Sequence, residues 1–192
     1  MNSGAEWYVL LIGGPSGIGK TTVAAQLARR LDVSWLMVDD LRLALARSGV
    51  PIPDSGAVMT FDAPGGLVTV GGLLTPAVEV VIENHVDQRY PVVIEGDGIL
   101  PSLFDRPSVR ARATHGRIRA VFLHEPDADA LHANFVARSR DGWRADLQAH
   151  ARKNFLFGQW VKQEAEQRGL SCVAARPWDT LVERILTASE LL

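Results

Sequence analysis

The chain has 192 residues, 47% of them hydrophobic, which is enough for one domain with a substantial core. Its net charge of −2 gives no basic excess for stable nucleic-acid binding, so we expect no nucleic-acid partner. Cys172 is the only cysteine, which excludes an internal disulfide and indicates a reducing cytoplasm. The apolar run 7–12 is too short to span a bilayer, and we expect no membrane association.

Short apolar runs alternate with longer helical patterns along the chain, which is typical of a single α/β domain with a parallel sheet, here covering residues 1–192. Near-continuous apolar runs predict strands covered on both faces, at residues 7–12, 34–39, 91–96, 117–124 and 170–175. Helices are predicted at residues 21–31, 73–88, 127–138, 147–168 and 178–192. Residues 48–72, rich in Gly and Pro, predict an insertion that covers the substrate.

A phosphate-binding loop follows the first predicted strand and has the pattern G-x-x-x-x-G-K-T. Its glycines let backbone N–H groups approach a β-phosphate, Lys20 reaches the β- and γ-phosphates, and the Thr21 hydroxyl ligates Mg²⁺. A dinucleotide fingerprint is disfavoured, because no G-x-G-x-x-G can be read where the position three after Gly19 is Thr22. We therefore predict an ATP·Mg²⁺ site with Thr21 as the metal ligand, formed by Gly14, Pro15, Ser16, Gly17, Ile18, Gly19, Lys20, Thr21 and Thr22.

The sequence MVDDLR, residues 37–42, lies at the carboxyl end of the second predicted strand, where ligands gather in open α/β sheets. Two adjacent carboxylates there can orient an acceptor hydroxyl, accept its proton or hold the water shell of Mg²⁺. Alternatively, Asp39 or Asp40 caps the next helix. Arg42, one turn into that helix, is placed to pair with an anionic acceptor. We predict all three as acceptor-binding residues, with Asp39 and Asp40 also catalytic.

A second pair of acids, Glu95 and Asp97, follows the third predicted strand in VVIEGDGILP, residues 92–101. These acids are predicted to bind Mg²⁺ through water or to hydrogen-bond the acceptor. The alternative is a turn that carries solvated acids.

Three arginines cluster around a glycine between two predicted helices, in ARSRDGWR at residues 137–144. Phosphoryl transfer needs cations that cover the transferring group and exclude water, so we predict a lid at residues 138–146. Arg138 and Arg140 are predicted as catalytic, Arg138 also as an ATP ligand, and Arg144 as an acceptor ligand. Alternatively, the charges form a solvated helix face.

A loop with the sequence AARPWDT, residues 174–180, follows the fifth predicted strand. Arg176 and Trp178 are placed to sandwich an adenine through stacking and cation–π contact, and Pro177 fixes the turn into the last helix. Alternatively, Trp178 packs that helix into the core.

Taken together, GGPSGIGKTTVA, VDDLR and VVIEGDGILP resemble the corresponding stretches of 2-phosphoglycerate kinases, within the P-loop small-molecule kinases of the nucleoside-monophosphate-kinase-like group. VDDLR also resembles kinases of the polynucleotide kinase and zeta-toxin type and, more distantly, chloramphenicol phosphotransferase. The resemblance covers the chain through about residue 101 and does not include residues 48–72. It implies that Asp39 or Asp40 is the base toward the acceptor hydroxyl. It further implies a five-stranded parallel sheet in the order 2-3-1-4-5, a lid and an acceptor-binding subdomain.

These features favour an ATP-dependent phosphotransferase that acts on a small acceptor, whose anionic character is indicated by Arg42 and the lid arginines. A regulatory GTPase is disfavoured because no N/T-K-x-D stretch occurs. An ATPase motor is disfavoured because VFLHEP, residues 121–126, lacks the adjacent Asp-Glu pair that such enzymes use. A nucleic-acid end kinase lacks support from the net charge. We expect a monomer or a homodimer.

Overall fold

The computed structural model of the chain describes residues 6–53, 65–139 and 146–191. The strands in these ranges are β1 (Val9–Gly13), β2 (Ser34–Met37), β3 (Val92–Glu95), β4 (Ile118–His124) and β5 (Ser171–Ala174). The α-helices are α1 (Lys20–Leu31), α2 (Val38–Arg47), α3 (Gly65–Gln88), α4 (Pro107–Thr114), α5 (Ala128–Arg138), α6 (Leu147–Gln167) and α7 (Leu181–Ala188). Short 3₁₀ helices occupy Pro101–Asp105 and Trp178–Thr180.

The five strands form one parallel sheet in the order β2-β3-β1-β4-β5, which confirms the predicted fold. β1 lies at the centre, with Ile12 beside Glu95 of β3 on one side and Val121 of β4 on the other. Since all strands run in the same direction, their carboxyl ends meet at one edge of the sheet. The loops that follow the strands therefore converge at that edge.

Helices cover both faces of the sheet and divide the core in two. Val9 and Leu11 face a cluster that includes buried residues of α3, α4 and α6, whereas Leu10 and Ile12 face a cluster built with α1, α5 and α7. This alternation follows from the two-residue period of a strand, and it gives a three-layer α/β/α arrangement. The phosphate-binding loop thus emerges from the most deeply buried strand of the domain.

The edge strands are less buried than the sequence predicts. β2 is exposed or half-buried along its length, with Trp35 39% exposed, and β5 is half-buried throughout. The prediction that every strand is covered on both faces is therefore wrong for β2 and β5. Their apolar runs resemble those of the central strands. The sequence of one strand does not show whether it lies at the centre or at an edge of the sheet, because that depends on the topology.

Helix α3 begins at Gly65, eight residues before its predicted start at 73. The predicted helix start at 73 is therefore wrong, and residues 65–72 of the Gly- and Pro-rich stretch are helical, while residues 54–64 lie outside the described part of the chain. Glycine and Pro76 weaken the helical pattern here, because both residues are poor helix formers. Packing stabilises the helix instead, through the stripe Val70, Leu74, Val78, Ile82 and Val86.

The same helix is long and apolar enough to cross a membrane by length and composition, with a mean hydropathy of 1.7 over its most apolar stretch. Core helices of soluble proteins satisfy the same criterion. One side of α3 packs on the core cluster that contains Val9 and Leu11, which accounts for part of its apolar composition. Leu73 and Val80 on the same helix are 49% and 64% exposed.

Candidate nucleotide and acceptor site

A cavity of about 770 Å³ opens at the carboxyl edge of the sheet. Its walls come from the phosphate-binding loop, the start of α1, the ends of β2 and β3, the end of α5 and the 3₁₀ helix at Trp178–Thr180. The volume lies within the range of small-molecule and cofactor pockets. The topology thus brings together groups that are far apart in the sequence.

The phosphate-binding loop connects β1 to α1 in a backbone conformation that requires glycine. Gly14, Gly17 and Gly19 have φ values of +133°, +85° and +84°. A Cβ atom on Gly14 would lie 2.3 Å from the carbonyl oxygen of Leu123. Among the described residues, no side chain caps the N-terminus of α1. The helix therefore presents its positive dipole end to the cavity without a competing side chain.

Lys20 is only 7% exposed, and its Nζ donates a 2.7 Å hydrogen bond to the carbonyl oxygen of Pro15. Burial lowers the pKa of this lysine, and the carboxylates of Asp97, Glu95 and Asp39 oppose that shift. The ammonium group therefore lies among three acids on the floor of the cavity.

Thr21 donates a 2.8 Å hydrogen bond from Oγ1 to Oε1 of Glu95, which is 4% exposed. Burial raises the pKa of Glu95, while Lys20 and the Thr21 hydroxyl act in the opposite direction. The described residues contain no cluster of three or more His, Cys, Asp or Glu side chains able to hold a metal. The hydroxyl and carboxylate oxygens nevertheless fit Mg²⁺, which usually takes few protein ligands and completes its shell with water and substrate phosphates.

The two adjacent aspartates predicted as acceptor ligands have different environments. Both side chains are exposed, but only Asp39, in the first turn of α2, is part of the cavity wall. Arg42 Nε donates a 3.1 Å hydrogen bond to Asp39 Oδ1, and the Arg42 side chain is 18% exposed. Asp97 lines the cavity as well, and burial raises its pKa. Neither Asp39 nor Asp40 caps α2, whose N-cap is Met37 without a side-chain cap.

Of the predicted lid arginines, Arg138 lies at the end of α5, is exposed and lines the cavity. Arg140 and Arg144 lie outside the described residues.

Arg176 and Trp178 contact each other directly, with the guanidinium carbon 4.3 Å from the ring centroid. No base fits between them in this arrangement, so the predicted sandwich is not formed. Trp178 is 48% exposed and lines the cavity, which also makes the alternative of a core residue wrong. Pro177, which follows a cis peptide bond, is outside the cavity wall. Arg176 is instead held by Glu125 and Asn134, through Nε and Nη2 at 3.0 and 2.8 Å.

Three buried polar residues near the loop were not predicted from the sequence: Glu125, Asn134 and Asn154, which are 2%, 8% and 1% exposed. The two asparagines contact the phosphate-binding loop, and Glu125 binds Arg176. One feature of the sequence could have identified the two asparagines. Each interrupts an otherwise apolar helix face, and a polar group buried at such a position needs a specific hydrogen-bond partner.

A family model described as an AAA domain (AAA_33) matches residues 9–158. A 2-phosphoglycerate kinase of Pyrococcus horikoshii is 29% identical over 48% of this chain and 36% of its own length. A 2-phosphoglycerate kinase of Methanopyrus kandleri is 22% identical over 97% of this chain and 62% of its own length. A tRNA dimethylallyltransferase of Syntrophobacter fumaroxidans is 26% identical over 92% of this chain and 59% of its own length. The chain thus spans less than two thirds of these relatives.

Among solved structures, a gluconokinase from Sinorhizobium meliloti 1021 superposes with a TM-score of 0.54 at 20% identity, covering 97% of this chain and 93% of its own. Shikimate kinase from Aquifex aeolicus superposes with a TM-score of 0.53 at 18% identity, covering 95% and 96%. These similarities confirm the fold. Together with the family model and the two named kinases, they confirm the resemblance predicted from the three motifs.

Proposed function

The chain belongs to the AAA domain family whose model matches it, and on this premise we propose that it is an ATP-dependent phosphotransferase acting on a small metabolite. One observation carries the proposal. A single cavity is lined both by the phosphate-binding loop and by the carboxylates Asp39 and Asp97, which follow the neighbouring strands β2 and β3. Transfer to a hydroxyl uses carboxylates that orient the acceptor and accept its proton, and these two acids are available for that role.

In the proposed reaction, Asp39 accepts the proton of the acceptor hydroxyl while the acceptor oxygen attacks the γ-phosphorus. The bond from the γ-phosphorus to the bridging oxygen breaks, and ADP leaves with its electron pair. Lys20 and Arg138 neutralise negative charge on the phosphoryl oxygens. Asp39 is supported as the base, in preference to Asp40, by its place in the cavity wall. A phosphate acceptor would arrive already ionised and would make the base dispensable.

Thr21 and Glu95 are the residues that we expect to hold Mg²⁺, with Glu95 acting directly or through water. When bound, Mg²⁺ supplies neutralisation of the β- and γ-phosphate charge. Asp97 is close enough to Lys20 to influence its pKa and completes the acidic wall. We assign it to acceptor orientation.

An anionic acceptor is supported by Arg42, whose side chain is 18% exposed and whose Nε donates to Asp39 in the cavity wall. The first acceptor to test is 2-phosphoglycerate, for which two relatives are named.

On the nucleotide side, we propose that the exposed Trp178 ring stacks on the base, with Arg176 and Pro177 supporting it. We further propose a cytoplasmic enzyme that is a monomer or a homodimer, with a lid at 138–146.

The test is transfer of the labelled γ-phosphoryl group of ATP to a panel of phosphorylated acids, sugar acids and sugars, with Mg²⁺ present. We expect one anionic acceptor to be phosphorylated by wild-type protein and not by Lys20→Ala. Slow hydrolysis of ATP that no acceptor accelerates would contradict the kinase function, and preference for GTP would favour a switch.

The dimethylallyltransferase relative suggests a second candidate, a transferase that moves a different group on the same fold. That function predicts no label in any small acceptor and transfer of a prenyl group to RNA. Parallel assays with dimethylallyl diphosphate and tRNA therefore distinguish the two candidates.

A further inference from the structure

Two buried asparagines hold the phosphate-binding loop from two different helices. Asn134 of α5 donates from Nδ2 to the carbonyl oxygen of Gly17 at 3.0 Å. Asn154 of α6 accepts the backbone N–H of Ser16 on Oδ1, also at 3.0 Å. Both contacts join residues more than 100 positions apart in the sequence. They involve successive parts of a loop that has no regular secondary structure to fix it.

These contacts determine the orientation of two peptide units. In a trans peptide the carbonyl and the N–H point in opposite directions. Because the Ser16 N–H points at Asn154, the Pro15 carbonyl of the same peptide points the other way, where Lys20 Nζ binds it at 2.7 Å. Because the Gly17 carbonyl points at Asn134, the Ile18 N–H points to the opposite side of the loop. The Gly17–Ile18 peptide would otherwise rotate with little hindrance, given the glycine at position 17. The Pro15–Ser16 peptide is held on its two sides by Asn154 and Lys20.

Each amide is itself oriented by a second partner. Arg176 donates from Nη2 to Asn134 Oδ1 at 2.8 Å, which leaves Nδ2 as the group that faces Gly17. Glu125, buried beneath, holds Arg176 through Nε at 3.0 Å. On the other helix, Asn154 Nδ2 donates to the carbonyl oxygen of His150 at 3.0 Å, which leaves Oδ1 for Ser16. Neither amide can flip without losing a hydrogen bond.

Close packing keeps both helices against the loop. A Cβ atom on Gly158, one turn after Asn154 on α6, would lie 2.9 Å from Pro15 Cγ. A Cβ atom on Gly17 would lie 2.8 Å from Phe135 Cζ, the neighbour of Asn134 on α5. Both asparagines are therefore held at a fixed distance from the backbone groups that they bind.

We infer that Asn134 and Asn154 are positioning residues, which hold the phosphate-binding loop in its anion-binding conformation before a nucleotide arrives. The inference rests on the proposed function only in requiring that the loop binds nucleotide phosphates. Without the asparagine contacts, the two peptides sample other orientations, and a nucleotide must select the competent one. If that conformation falls to about a tenth of the population, the Kd for ATP rises about tenfold.

Asn154 gives the cleaner test, because it is not part of the cavity wall and its replacement removes no direct contact with a ligand. The variant Asn154→Leu removes the acceptor at similar volume, and Asn154→Ser is the substitute if the leucine variant does not fold. Val161→Ala is the matched control, since Val161 is fully buried on the same helix and is remote from the loop contacts. For each protein we would measure the Tm without ligand and the Kd for ATP and for AMP by calorimetry.

We expect Asn154→Leu to weaken ATP binding about tenfold and AMP binding less than twofold, because AMP lacks the phosphates that the loop positions. Val161→Ala should lower the Tm comparably and leave both affinities unchanged. Equal losses for ATP and AMP, or the same ATP loss in Val161→Ala, would show a general structural effect and overturn the inference. If the wild-type protein binds ATP and Asn154→Leu binds it equally well, only the positioning role fails. If the wild-type protein binds no nucleotide, the proposed function fails as well.

Discussion

The hydroxyl of Thr21 and the carboxylate of Glu95 are joined by a 2.8 Å hydrogen bond, although 74 positions separate them in the sequence. The contact follows from the sheet, because Glu95 pairs in register with Ile12 of the strand that leads into the phosphate-binding loop. The last residue of β3, Glu95, therefore lies beside Thr21, the residue after the loop lysine. This relationship links the fold to the chemistry that we propose.

We predict that Glu95→Gln makes turnover depend on higher Mg²⁺ concentrations. The amide oxygen can still accept the Thr21 hydrogen bond, so the change removes charge with little change of shape. We expect the Mg²⁺ concentration at half-maximal rate to rise about tenfold and kcat to fall roughly 10- to 100-fold, as for partners that orient a metal shell. The measurement is a Mg²⁺ titration of ATP turnover.

Glu83→Gln is the control for this change, since Glu83 lies on α3 and pairs with Arg112 outside the cavity. An unchanged Mg²⁺ dependence in Glu95→Gln would remove Glu95 from the metal site.

A second prediction separates the two neighbouring aspartates. Asp39→Asn should reduce phosphoryl transfer to a hydroxyl about 10²- to 10⁴-fold, the usual contribution of a general base, and leave the Kd for ATP within about twofold. Asp40→Asn is the matched control and should transfer at nearly the wild-type rate, because Asp40 is not part of the cavity wall. Initial rates at saturating ATP provide the comparison. A larger loss in Asp40→Asn would reverse the assignment, and loss of ATP binding in Asp39→Asn would indicate a structural or Mg²⁺-linked role.

The contrast between these aspartates shows where sequence reasoning ends. The strands and the phosphate-binding loop were predictable, because apolar runs and glycine spacing are local signals. The order of the strands was implied only by the resemblance to known kinases. Which of two adjacent acids faces the cavity depends on how α2 is rotated about its axis. That rotation is set by packing of the helix against the rest of the fold.

The sequence also did not reveal which side chains contact each other when they lie far apart along the chain. Arg176 was predicted to contact a base, but it binds Glu125 and Asn134, which lie 51 and 42 positions away. Asn154 carries no motif that would link it to Ser16. The early start of α3 was missed because helix propensity argued against it, while burial against the sheet stabilises it.

A third prediction concerns stability and pH. Burial raises the pKa of Asp97 above the ordinary value of 3.8, although Lys20 opposes the shift. The folded protein therefore holds this proton more tightly than the unfolded chain, so stability falls as pH rises from about 3.8 through the raised pKa, and stays lower above it. We expect Asp97→Asn to raise the Tm of the ligand-free protein at neutral pH by about 2–4 °C, equivalent to about 1 kcal/mol.

The gain should shrink as the pH is lowered toward the ordinary aspartate range, where wild-type Asp97 is protonated as well. Thermal melts without nucleotide across this pH range measure the difference in Tm between the variant and the wild-type protein, with Asp40→Asn as control. A lower Tm for Asp97→Asn at neutral pH would mean that attraction to Lys20 outweighs the cost of burial.

The last prediction uses two adjacent glycines of α3. A Cβ atom on Gly71 would lie 2.6–2.8 Å from three side-chain atoms of Leu100, which is 2% exposed. Gly71→Ala should therefore destabilise the protein by about 1–3 kcal/mol through overpacking. A Cβ atom on Gly72 would meet nothing within 4 Å, so Gly72→Ala should stabilise by about 0.5–1 kcal/mol through better helix propensity. Denaturant unfolding of both variants tests this prediction. If α3 is oriented as described, the two substitutions change the free energy of unfolding in opposite directions. Two changes of the same sign would contradict the packing of α3 against the segment that follows β3.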